Sequence, residues 1–216
     1  MTKKSNSYYA IFENKTNGKK LIYYPCPKNA NTSAKLFFAR HLGIENKFVF
    51  LSDNIPQYKQ SRSIFEKINK INIVSFLPSK QKFTKVLADE KCCIVRNPIK
   101  RFISAYNNRI LFHKDTQFKN HSVDMVIEKL ENNLFENKHF LPQTYFLGND
   151  LKYFTIVANT KNISGFERKV NYFFDKKIKF PKMQTGGGEF NLKLNISQLD
   201  KLKKIYIEDF NLLETF

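Results

Sequence analysis

A lysine and two hydroxyl residues stand at a turn where a phosphate could be held. Residues 25–33 read PCPKNANTS, between a short apolar run, LIYY, and AKLFFARHL, which has the spacing of an amphipathic helix. A strand, a tight turn and a helix start bring together free backbone N–H groups and the positive end of a helix dipole. Lys28 would add a mobile full charge there, and Thr32 and Ser33 would add donors. The segment is not a Walker A loop, in which glycines come first and the lysine late, because Lys28 precedes the helix by several residues. By its letters alone PKNANTS suits an anion cradle and a plain turn with a helix cap equally well, since Asn and Ser favour caps.

A second stretch tips the balance. Residues 95–106 read VRNPIKRFISAY: a buried strand ends in Arg96, Pro98 starts a helix, and Arg101 and Ser104 lie three residues apart on one helical face. An arginine at a strand's C-terminal end offers a forked contact to phosphate, with the serine as a further donor. Two anion sites at the C-terminal edge of parallel strands describe a ligand with phosphates at two ends.

The elements that must position these residues alternate. Strands are expected at 20–25, 48–51, 73–77, 91–95 and 153–157, and helices at 32–42, 61–71, 79–87, 98–112, 123–133, 163–174 and 196–209. KCCIV at 91–95 has no polar alternation and reads as a strand covered on both faces. The pattern implies an α/β domain over 1–216 with a central, mainly parallel sheet and helices on both faces. The segment KMQTGGGEFN holds three of the seven glycines and reads as a flexible loop, flanked by Lys182 and Gln184, that could fold over a nucleotide.

The chain has 216 residues, with 37 basic and 19 acidic side chains, a formal charge of +18. Such a balance suits anionic partners: nucleic acid, membrane surface, nucleotide or acidic polysaccharide. The abundance of Lys, Asn, Ile and Phe also matches the codon bias of an AT-rich genome, and the lysines form no long basic run. Cys26, Cys92 and Cys93 lack metal-ligand spacing; the adjacent pair reads as small core hydrophobes. There is no signal-like apolar start and no span of about eighteen apolar residues, so the expectation is a soluble protein of a reducing cytoplasm.

PKNANTS and VRNPIKRFISAY together resemble the sulfotransferases that use 3′-phosphoadenylyl sulfate, PAPS, and most nearly their carbohydrate branch. ENKHFLPQ at 136–143 is similar to that branch's histidine-aromatic-x-Pro-Gln element, and IYIEDFNLL at 205–213 to its C-terminal helix. The resemblance implies a P-loop-like three-layer fold and a bacterial, cytoplasmic enzyme moving a sulfuryl group to a carbohydrate or glycolipid hydroxyl. Lys28, Asn29, Asn31, Thr32 and Ser33 would hold the 5′-phosphosulfate, and Arg96 and Ser104 the 3′-phosphate. Asn31 stands where the branch commonly has glycine, a place Asn can take by accepting left-handed backbone angles. Asn97 replaces the aspartate of the usual Arg-Asp-Pro, and KNISGFE at 161–167 lacks the usual Glu-Asn-Leu.

Sulfuryl transfer proceeds by in-line displacement, catalysed by positioning and electrostatics, and this arrangement calls for no metal. Lys28 would neutralise charge on the leaving phosphate. His139 would be the base, with His113 and Glu136 as the alternatives. His41 reads as a surface or capping residue, and His121 as a neighbour of a cap. Two other readings compete: an ATP-dependent phosphotransferase, for which neither a Walker loop nor a magnesium-binding acid is found, and a non-catalytic basic module for nucleic acid or anionic glycan. Two localised cradles rather than a basic stripe favour the enzyme and speak against nucleic acid. The charge is also compatible with peripheral contact to an anionic membrane.

Overall fold

Unbroken apolar runs in the central strands build a sheet that is buried on both sides. In the computed structural model the described residues are 9–43, 74–77, 88–118, 120–133, 137–183, 190–214 and 216. Among them the strands are β1 (Tyr9–Glu13), β2 (Lys20–Tyr24), β3 (Val74–Leu77), β4 (Glu90–Val95) and β5 (Ile156–Asn159), in the sheet order β3-β1-β2-β4-β5. β2, β4 and β5 pair in parallel, while β1 runs antiparallel to both β2 and β3. Four strands therefore share one direction, as the alternation of elements requires, and β1 alone opposes them. The expected fold class holds as α/β with a mostly parallel sheet flanked by helices.

Strand side chains alternate between faces, so Tyr23, Cys92 and Ile94 enter one core and Ile22, Tyr24, Cys93 and Val95 the other. The first core is closed by α1 (Asn31–His41) through Phe37 and Phe38 and by α5 (Ser164–Phe174) through Phe166 and Val170. The second is closed by α4 (Gln143–Leu147) through Phe146 and Leu147 and by the last helix, α7 (Ile207–Glu214), through Leu212. A third cluster joins α2 (Pro98–Tyr106), α3 (Val123–Glu131) and α6 (Ile196–Ile205) around Phe102, Phe118, Phe140, Leu202 and Tyr206. Full burial of each such aromatic contributes roughly 1.5–3 kcal/mol. Cys92 and Cys93 are buried free thiols whose pKa burial raises well above the usual value, so they act as core hydrophobes.

Four expectations are corrected. β1 was not anticipated; a turn closed by Gly18, at φ 69°, folds it back on β2. β5 lies at Ile156–Asn159 rather than 153–157, because Asp150 caps a short 3₁₀ turn at Leu151–Tyr153, accepting the Lys152 N–H at 2.8 Å. The closing helix divides at Tyr206, whose hydroxyl donates to the Phe140 carbonyl at 2.7 Å. His41 is no surface residue: it is 2% exposed, its ring against Phe37 and Phe174 at 4.5 and 4.8 Å. Burial, with Lys176 nearby, lowers its pKa to about 4. The helix expected at 98–112 is present as α2 followed directly by a π-helix at Asn107–Phe112, a feature common near functional sites. The elements expected at 48–51, 61–71 and 79–87, the glycines at 186–188 and Glu136 lie outside the described residues. Among the described residues no helix is long and apolar enough to cross a membrane.

Candidate active site

β2 and β4 are adjacent and parallel, so the loops leaving their C-terminal ends, PKNANTS and Arg96-Asn97-Pro98, meet at one edge of the sheet. Three successive residues of the first loop are each held from elsewhere. Arg101 Nε donates to the Pro27 carbonyl at 3.0 Å, and Arg96 Nη1 to the Lys28 carbonyl at 2.9 Å. Asn29 Nδ2 donates to the Ile94 carbonyl at 2.8 Å and to Gln143 Oε1 at 2.6 Å. This bracing sustains two non-glycine residues in left-handed backbone, Lys28 at φ 68° and Ala30 at φ 54°. Such conformations are unfavourable and persist where the surroundings over-determine them, often at functional sites. The left-handed residues are thus Lys28 and Ala30, not Asn31, which is already the first helical residue of α1. That corrects the reason offered for Asn31's tolerance: a helical position asks nothing special of its backbone.

α1 starts without a side-chain cap, because its N-cap is Ala30, and no acidic residue lies in its first turn. The orphan N–H groups of that turn therefore keep their affinity for an anion. Asn31 Oδ1 accepts the Tyr23 hydroxyl at 3.3 Å. Thr32 is half-buried, and its hydroxyl makes no hydrogen bond among the described residues. Ser33 Oγ accepts the Met183 N–H at 3.1 Å and keeps its own hydrogen to donate. Asn29 is fully buried, its NH₂ group spent on bracing, so it holds the loop rather than facing its outer surface.

Lys28 and Arg96 have no carboxylate partner among the described residues. Burial, then the charges of Arg96, Arg109 and Arg101, lowers the Lys28 pKa to about 7. Arg96 is lowered too, by burial and by Arg101. Among the described residues the Arg96 guanidinium donates only to the Lys28 carbonyl, which leaves further donors in its fork. Arg101, by contrast, is 1% exposed and donates to the Pro27 and Leu141 carbonyls, so it is a strut between loops. Ser104 is half-buried on α2, and no hydrogen bond joins its hydroxyl to Arg96 or any other described residue. Asn97 caps α2 by accepting the Lys100 N–H at 3.1 Å, the capping service an aspartate would give.

Gln143 carries a part that its place in ENKHFLPQ did not announce. Its Oε1 accepts from Asn29 and from the Arg96 N–H at 2.9 Å, while its Nε2 donates to the Arg96 carbonyl at 2.7 Å. One buried amide therefore ties both anion loops together. The N–H groups of Gln143 and Thr144 donate to the buried carboxylate of Asp209 at 2.8 and 2.9 Å, which docks α7 beneath the site. His139, just before, is half-buried. Burial, then Arg109, Lys28, Lys138 and Arg101, lowers its pKa well below the usual value, so the ring is neutral at pH 7 and able to accept a proton. His113 is likewise lowered by burial, Arg109 and Lys28, with Asp115 opposing.

A half-buried, braced cation pair with no carboxylate partner among the described residues, beside an uncapped helix start, has the chemistry to hold an anion, and a neutral imidazole lies within the field of its lysine. A family model described as the sulfotransferase family matches residues 14–145, well over half of the chain. The chain belongs to that family. Searches of curated proteins and of solved structures give no match.

Proposed function

We propose that the protein transfers a sulfuryl group from PAPS to a hydroxyl of a carbohydrate or glycolipid acceptor, with no metal. Membership of the sulfotransferase family supports transfer of this kind in general. The observation that carries the donor assignment is the pairing of Lys28 and Arg96, linked by a 2.9 Å hydrogen bond and free of carboxylate partners among the described residues. A donor with phosphates at two ends would complete both charges. The fit also rests on the uncapped start of α1 and the free hydrogens of Thr32 and Ser33.

When bound, PAPS supplies a sulfur–oxygen bond activated by its phosphate leaving group. Lys28, Asn31, Thr32 and Ser33 bind the 5′ end, Asn29 keeps their loop in shape, and Arg96 with Ser104 binds the 3′-phosphate. Lys28 meets the charge that collects on the departing phosphate oxygen. His139, neutral at pH 7, takes the proton of the acceptor hydroxyl. The +18 charge favours an anionic acceptor or contact with an anionic surface.

The test is calorimetric titration with 3′-phosphoadenosine 5′-phosphate, with adenosine 5′-monophosphate as the control, on wild type, Lys28→Ala and Arg96→Ala. Tight binding of the bisphosphate alone, weakened by both substitutions, is expected. Equal binding of both nucleotides, or of neither, rejects the donor assignment and leaves the basic binding module.

A further inference from the structure

His139 ends a line of hydrogen bonds that begins at Arg109. Arg109 Nε and Nη2 donate to Asp115 Oδ2 and Oδ1 at 2.7 and 2.6 Å, and the two side chains are only 12% and 16% exposed. Asp115 Oδ2 also accepts from Asn137 Nδ2 at 3.0 Å. A carboxylate held on an arginine fork has no proton to give, so Asn137 must turn its NH₂ group to Asp115 and its Oδ1 away. That Oδ1 accepts the His139 backbone N–H at 3.0 Å and lies 2.7 Å from ring Nδ1. An amide oxygen only accepts. The ring proton of neutral His139 therefore sits on Nδ1, and Nε2 carries the lone pair.

We propose that Asn137 and Asp115 are positioning residues that hold His139 as its Nδ1–H tautomer, locked by Arg109, so that Nε2 is the atom that accepts the substrate proton. This rests on the reading of His139 as the base. In the step it serves, His139 Nε2 takes the hydroxyl proton as the acceptor oxygen bonds to sulfur. The electron pair of the broken sulfur–oxygen bond goes to the departing phosphate oxygen beside Lys28. The imidazolium then carries N–H on both nitrogens, and its Nδ1–H stays on Asn137 Oδ1, which the Asn137 amide keeps in place by donating to Asp115. Without Asn137 the ring would revert to the Nε2–H form that imidazole prefers in water. Nε2 would then have no lone pair to offer.

Nitrogen NMR of the full-length, ¹⁵N-histidine-labelled chain at neutral pH tests this directly, with His139→Gln assigning the resonances. Wild type should show a protonated, pyrrole-like Nδ1 and an unprotonated, pyridine-like Nε2 at His139. Asn137→Ala and Asp115→Ala should exchange the two signatures. Asp115→Asn should retain the wild-type pattern, because its amide oxygen still accepts from Asn137. Bisphosphate affinity should be unchanged in all three, and with an acceptor present kcat of the alanine variants should fall about a hundredfold. An Nε2–H ring in wild type, or an Nδ1–H ring that persists in Asn137→Ala, overturns the proposal. Failure to bind the bisphosphate with the tautomer pattern intact would count against the donor assignment alone.

Discussion

Lys28 is a lysine whose charge is incomplete until an anion arrives, and this gives a measurable proton. With a pKa of about 7 in the free site, it is charged in only about one molecule in ten at pH 8. A phosphate beside it restores the charged form, so binding of 3′-phosphoadenosine 5′-phosphate at pH 8 should take up about 0.9 proton. The phosphates are themselves fully ionised at pH 8 and add nothing. The apparent affinity should then fall about tenfold between pH 8 and pH 9, because a neutral lysine must first be charged. Titration calorimetry in buffers of different ionisation enthalpy reads the uptake as the slope of observed against buffer enthalpy. Lys28→Arg keeps a charge at every pH used, so it should bind with neither the uptake nor the pH dependence. Absence of uptake in wild type at pH 8, or the same uptake in Lys28→Arg, would refute the assignment of the proton to Lys28.

Two further perturbations probe what braces the site and the core. Gln143→Met leaves the N–H and carbonyl of Arg96 and part of the Asn29 amide without partners; at about 1–3 kcal/mol for each orphaned buried group, urea denaturation should show a loss of about 3 kcal/mol or more, and a loss under 1 would mean that the amide does not tie the loops. His41 has a folded pKa of about 4 against about 6.5 unfolded, so its contribution is whole above pH 6.5 and is lost as pH falls towards 4, by up to about 3 kcal/mol. His41→Phe carries no such dependence. Its stability relative to wild type should therefore climb steadily over that window in pH-dependent unfolding, and a flat difference would place the titration elsewhere.

The parts of this molecule that the sequence makes legible are those in which chemistry and geometry are local. Lys28, Thr32 and Ser33 fall on one strand-turn-helix junction, and Arg96 closes a strand whose unbroken apolar letters declare it buried; each could be read from a window of a dozen residues. Gln143 could not. Its partners, Asn29, Arg96 and Asp209, lie 114, 47 and 66 residues away, and only the parallel pairing of β2 with β4 and the docking of α7 bring them to one residue. The Arg109–Asp115–Asn137 line is hidden in the same way, by the turn after the π-helix. His41 misled because its own helix gives it a polar letter near a C-terminus, while its burial is decided by Phe174 on α5. β1 was missed because it opposes its neighbours in a sheet whose other strands follow the parallel pattern.

The central claim, sulfuryl transfer from PAPS, is tested most directly by following a ³⁵S-labelled donor with the intact protein and a panel of neutral and anionic glycans, with Lys28→Ala and His139→Gln alongside. The account predicts label on a glycan hydroxyl with release of 3′-phosphoadenosine 5′-phosphate, and loss of transfer in both variants. Binding of the donor with no label on any hydroxyl acceptor, or transfer that survives Lys28→Ala at the wild-type rate, would contradict it.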